Sequence, residues 1–224
     1  MNGDGPETFH EIDRWGGGLG WIAYPDEYME RASHAVVTDE GVWVIDPIDV
    51  PGLDERLAAL GEVVGVTVLL NRHTRDAEAV ADRHGVPVTL VGPMESIADE
   101  IAGEVETADE ALPGTSFRAK PVINLPFWTE IALFDGETLV VGDSLGTARY
   151  FLAGGERLGV HPTLRLTPPR DAFSGIEPAR VLVGHGHGLM ENGGVVLRDT
   201  LFSARRRIPG LLGTWARMAI GRGP

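Results

Sequence analysis

The stretch Val66-Thr-Val-Leu-Leu-Asn-Arg-His-Thr-Arg-Asp76 limits the fold of this chain more than any other. A run of β-branched residues and leucines stops abruptly at a polar turn carrying Asn71, His73 and Asp76, and an alanine-rich helical pattern follows at once. This order predicts a buried strand, a polar turn and a helix. Ligands and reactive groups gather at strand ends of this kind.

The flanking sequence extends the pattern. Residues 21–24, 32–38 and 42–46 read as strands, with Asp39-Glu40-Gly41 as a hairpin turn between the last two. Pro51 to Leu60 places Leu53, Leu57 and Leu60 on one helical face, so this helix links the 42–46 strand to the Val66 strand. A right-handed crossover makes those two strands parallel. Ala77 to Arg83 reads as a short helix closed by Gly85, and Val86 to Val91 as the next strand. Later strands are expected over 121–134, 138–141 and 181–183, the first two joined by the turn Asp135-Gly136-Glu137. Trp15-Gly-Gly-Gly-Leu-Gly20 reads as a plain turn, since no Gly-Lys-Ser/Thr follows it. His34, inside an alternating strand, reads as a surface or satisfied histidine, and the acid-rich segment 95–110 as solvated helix and loop.

The turn after Val66 resembles the His-x-His-x-Asp-His metal motif of the metallo-β-lactamase superfamily. In this chain the six positions read Asn71, Arg72, His73, Thr74, Arg75 and Asp76. His73 matches, Asn71 stands for the first histidine, Arg75 for the aspartate and Asp76 for the last histidine. A shift of one residue aligns Asp76 with the family aspartate but leaves no histidine in place. Three further pieces resemble family motifs in the same order. Val42-Trp-Val-Ile-Asp46 is similar to the strand whose aspartate holds the metal loop from below. Gly142-Asp143-Ser-Leu145 resembles the Gly-Asp-x-Leu whose aspartate bridges two metals, and Gly184-His185-Gly186 the strand end whose histidine binds the second metal. The Gly-His-x-x-Gly that normally supplies another metal histidine has no counterpart, because 124–130 contains no histidine.

The resemblance implies an α/β fold: a four-layer αββα sandwich of two mixed β-sheets over residues 1–203, with a basic extension over 204–224 packed on it. That extension carries Arg205, Arg206, Arg207, Arg217 and Arg222, and with its tryptophan and leucines could also lie on an anionic membrane surface. The implied site contains His73 and Asp76 as catalytic groups, with Asn71, Arg72 and Arg75 as ligand-binding ones. Asp76, Asp143 and His185 are the metal donors if an ion is bound, and Asp46 supports them from behind.

Composition narrows the function classes. With no cysteine, any metal must be held by imidazole, carboxylate or amide, which suits zinc, iron or manganese. A formal charge of −14 argues against nucleic acid as a partner. The N-terminus has neither basic nor apolar leader character, and the cytoplasm is the expected compartment. Two guanidiniums beside the motif repel a dication and pair readily with its acids. The leading expectation is therefore a hydrolase-like protein whose dinuclear centre is largely lost, with no metal cofactor, binding a small anionic molecule. The alternative is a mononuclear zinc, iron or manganese hydrolase of an ester, thioester or lactone. Homo-oligomerisation stays open.

Overall fold

The computed structural model describes residues 8–220, so the expected leader-free N-terminus and Arg222 lie outside the described residues. Two mixed sheets pack face to face. The first has seven strands in sequential order: β1 (His10–Trp15), β2 (Gly18–Ile22), β3 (Ala32–Val37), β4 (Val42–Ile45), β5 (Val63–Thr67), β6 (Val88–Val91) and β7 (Val105–Ala108). β1 to β4 pair antiparallel and β4 to β7 parallel. Helix α1 (Leu53–Ala58) joins β4 to β5, and α2 (Ala77–His84) joins β5 to β6. The second sheet contains β8 (Arg118–Leu125), β9 (Trp128–Phe134), β10 (Thr138–Val141) and β13 (Arg180–Val183). Within it β10 and β13 run parallel. A two-stranded ribbon, β11 (Leu145–Gly146) and β12 (Gly159–Val160), stands beside them.

Period-two alternation builds the layers. In β9, β10 and β13 the residues Ile131, Leu133, Val140 and Leu182 enter the core shared with the first sheet. Their neighbours Ala132, Leu139, Val141, Val181 and Val183 face a second core with Leu197, Leu201 and Ala204. Successive side chains of a strand point to opposite faces, so one apolar run serves both cores. Helix α3 (Gly193–Ser203) covers that outer face, and α2 packs on β5 and β6. The result is helix, sheet, sheet, helix.

Several boundaries differ from the sequence reading. β1 is a strand in a stretch to which the sequence reading assigns no element, and of the expected turn over 15–20 only Gly16 and Gly17 turn, β2 starting at Gly18. The expected strand over 121–134 is a hairpin, broken at Pro126 and Phe127, with Phe127 70% exposed. The acid-rich segment holds a 3-10 helix over Gly92–Glu100 and the edge strand β7, whose exposed Glu106 suits a sheet border. Of the two expectations for His34 the surface one fails and the satisfied one fits: it is buried, with Nε2 2.9 Å from the Val183 carbonyl. Helix α4 (Ile208–Ala219) forms despite Gly210 and Gly213. It buries Leu211 and Thr214, and the Trp215 indole stacks on Tyr150 at 5.3 Å while Nε1 donates to the Tyr150 carbonyl. Tertiary packing supplies what intrinsic propensity lacks. Among the described residues no helix is long and apolar enough to cross a membrane.

Candidate metal centre

Four loops meet at one end of the sandwich, each leaving the C-terminal end of a strand: β4, β5, β10 and β13. Strands running parallel bring their loops to the same edge, the usual place for a site in such sheets. Backbone stitches close the edge between sheets. The Ile131 N–H donates to Leu69 and the Asn71 N–H to Thr129, while the Ala32 N–H donates to Gly184.

At the centre lies Asp143. Its Oδ1 is 3.0 Å from His73 Nε2 and 2.7 Å from His185 Nε2, and its Oδ2 accepts from Arg72 Nη2 at 3.0 Å. Each imidazole is fixed through its other nitrogen. His73 Nδ1 sits 2.8 Å from Asp46 Oδ2, and His185 Nδ1 2.8 Å from the Met29 carbonyl. Asp46 also accepts from the Leu69 N–H at 2.8 Å, so one carboxylate holds both the loop and the ring. Asp46 adopts a φ of 49°, in the left-handed region that non-glycine residues rarely enter. A side chain at position 184 would lie 3.1 Å from His73 Cε1 and 3.0 Å from the Gly142 carbonyl; glycine lets the ring in.

Electrostatics follow from burial and this pairing. Burial alone would raise the Asp143 carboxyl, but the imidazoles of His73 and His185 outweigh it and hold it well below the usual carboxylate range. His73 is pushed down by burial and Arg75, yet Asp143 and Asp46 prevail and its pKa lies above the ordinary histidine value. His185 lies below that value, chiefly through burial.

The two arginines take different places. Arg72 is half exposed, with its guanidinium 4.8 Å over the Trp128 ring as well as paired to Asp143. Arg75, at φ 42°, turns inward. Its Nη1 donates to the carbonyls of Ala32 and Asp46 at 2.6 and 2.9 Å, and its Nη2 to that of Gly184 at 3.3 Å, also 3.3 Å from His73 Nε2. Asn71 is committed to structure, because its Oδ1 accepts from the Thr129 N–H at 3.2 Å. Asp76 corrects the expectation that it is a catalytic and metal-donating group. It stands at the N-cap of α2 and accepts from the Asp49 N–H at 2.9 Å. It lines a separate cavity of about 520 Å³ with Asp49, Asp54 and Arg83. The left-handed turn at Arg75 places the helix start, and with it Asp76, against the 47–49 segment. Among the described residues the donors that converge are His73, Asp143 and His185, with ligand atoms within 4.8 Å of one another.

Two residues unmarked in the sequence border this centre. His161 follows β12, and its ring meets Trp128 edge-on at 4.9 Å; burial lowers its pKa to about 4. Glu130 of β9 is fully buried and accepts from the Ser144 N–H and the Trp128 indole. No motif marks either one, although Glu130 lies in the segment where the resemblance places a histidine.

Among the described residues the donor set fits one ion. Two imidazoles with Nδ1 already engaged and Nε2 converging beside a carboxylate form a three-ligand set for zinc or iron.

No protein-family model matches the chain, and no curated protein sequence does. Solved structures match over nearly the whole fold. A metallo-β-lactamase from Pontibacter korlensis superposes with a TM-score of 0.61 at 15% identity, covering 88% of this chain and 99% of that one. A flavoprotein from Thermotoga maritima gives 0.62 at 14% identity, over 89% of this chain and 62% of that one. The chemotaxis sensor ODP from T. denticola, in its apo state, gives 0.52 at 11% identity, over 89% and 94%.

Proposed function

From the metallo-β-lactamase fold these likenesses establish, we propose that the chain is a hydrolase-like protein whose dinuclear centre is largely lost and whose strand-end site binds a small anionic molecule. The observation that carries this reading is the Arg75 guanidinium, seated 3.3 Å from His73 Nε2 and tied to three backbone carbonyls. It supplies, as a tethered cation, charge that an ion would otherwise bring. Asp46 and Asp143 give two negative charges, and Arg72 and Arg75 two positive ones, so the side chains balance before any ion enters. A dication would add two uncompensated charges to a buried place. Half-exposed Arg72 spends one N–H on Asp143 and presents the rest of its fork to an incoming anion. The likeness to a protein described as a sensor agrees with a binding role on this scaffold.

Metal analysis of the full chain purified without added metal tests this reading. Well under one ion per chain is expected. Near-stoichiometric zinc, iron or manganese that disappears in Asp143→Ala would overturn it.

A second reading, a mononuclear hydrolase of an ester, thioester or lactone, is favoured by the convergence of two anchored imidazoles on one carboxylate oxygen. His73, Asp143 and His185 would hold the ion, which when bound supplies Lewis-acid polarisation of the substrate carbonyl. In that case Asp46 fixes the His73 tautomer, and Arg72 orients an anionic substrate.

A further inference from the structure

Aromatic side chains form a connected arc beside the centre. Trp128 carries the Arg72 guanidinium on its face and meets His161 edge-on at 4.9 Å. His161 meets Phe151 at 5.6 Å and Tyr150 at 6.2 Å, and Tyr150 meets Tyr28 at 5.7 Å. Phe151 in turn stacks on the His185 ring at 5.5 Å, which joins the arc to the floor of the site. Tyr28, Tyr150 and His161 all keep solvent exposure. The arc also holds donors. His161 Nδ1 lies 2.8 Å from the Thr163 hydroxyl and accepts from the Thr163 N–H, so the neutral ring carries its proton on Nε2. Neither that N–H nor the Tyr150 hydroxyl has a protein partner among the described residues. Arg72 spends one N–H on Asp143 and keeps the rest of its fork for a second carboxylate.

A cation at one end, ring faces and edges along the wall, and two spare donors between them match one chemical class. We propose that the site selects a planar aromatic anion, an aryl carboxylate, over aliphatic acids of equal charge and size. This rests on the anion-binding reading above. The carboxylate pairs with Arg72, and the ring packs against Tyr150 and His161. Ring quadrupoles favour such edge and offset contacts with an aromatic guest over a saturated one.

Calorimetric titration of the full chain with benzoate, cyclohexanecarboxylate, acetate and benzamide tests the proposal. Benzoate should bind about two- to tenfold more tightly than cyclohexanecarboxylate, the measure of one good aromatic contact. Tyr150→Leu should erase that preference, and Arg72→Gln should weaken every anion. Equal affinity for benzoate and cyclohexanecarboxylate overturns the aromatic selectivity while leaving the anion reading in place. Benzamide binding as well as benzoate overturns the anion reading, and no binding of any probe overturns both. The comparison of the four probes on the unmodified chain decides the matter even if a variant fails to fold.

Discussion

At the scale of single residues, the site separates side chains that face the centre from those that only sit near it in sequence. Asp143 takes contacts from two imidazoles and a guanidinium, whereas Asp76 serves the 47–49 turn. Asp76→Asn keeps an acceptor for the Asp49 N–H, so metal uptake on titration with zinc should match that of the unchanged protein; a loss would return Asp76 to the donor set. Asp143→Asn should abolish whatever uptake there is. Glu130 supplies a pH signal. Burial, with the Asp143 charge second, pushes its carboxyl up to about 7 from an ordinary 4.5. A carboxyl that binds its proton more tightly folded than unfolded contributes fully below its unfolded pKa, and that contribution is lost as pH rises through the folded value. The span corresponds to about 3 kcal/mol. Glu130→Gln should therefore flatten the dependence of urea stability between about pH 5 and about pH 8. A curve parallel to that of the unchanged protein would contradict the assignment. His73, Asp143, His185 and Asp46 were legible in sequence because each ends a strand within a known spacing. His161 was not, since it reaches the site through the ribbon of β11 and β12, which pair over two residues each.

At the scale of elements, a buried ion pair clasps the two sides of the β12 segment and meets the junction of α3 and α4 through Arg207 and the Ala204 carbonyl. Arg165 and Glu156 have side chains only 1% and 3% exposed, at 2.6 Å, and Arg165 also donates to the Phe151 carbonyl at 2.6 Å. Glu156 further accepts from the Ala153 N–H at 2.7 Å, and Arg207 comes within 3.6 Å of it. Glu156→Gln leaves a buried guanidinium without its counter-charge, and such breaks cost about 3–5 kcal/mol. A loss of that size in the free energy of urea unfolding is expected, read as a lowered midpoint; an unchanged midpoint would show that the pair is solvated. The strands of the second sheet were readable where a short apolar run was bounded by polar or glycine residues, as in β10 and β13. The β8–β9 hairpin was misread because Leu125, Phe127 and Trp128 continue an apolar run through the turn. Hydrophobicity alone cannot tell a buried strand residue from an exposed tip such as Phe127. β1 was missed for the opposite reason, since its side chains are mostly polar and partly exposed while its backbone pairs with β2 on both sides of an irregularity at Ile12.

At the scale of the whole molecule, a net charge of −14 loads the surface with self-repulsion. Screening reaches about 10 Å at 0.1 M salt and about 3 Å at 1 M. The melting temperature is expected to rise across that range, and a fall would mean that attractive surface pairs such as Arg83 with Asp49 outweigh the repulsion. The fold class was legible because the strand and helix order over 42–91 allows few topologies, while the surroundings of His73 and Asp143 depended on where two arginine side chains turn. Arg75 links the start of β3, the end of β4 and the end of β13 through the carbonyls of Ala32, Asp46 and Gly184. A rivet made of the chain's own nitrogen cannot be leached. Soaking the protein in EDTA should accordingly leave its melting curve where it was, and the seam between the two halves would endure in surroundings stripped of transition elements.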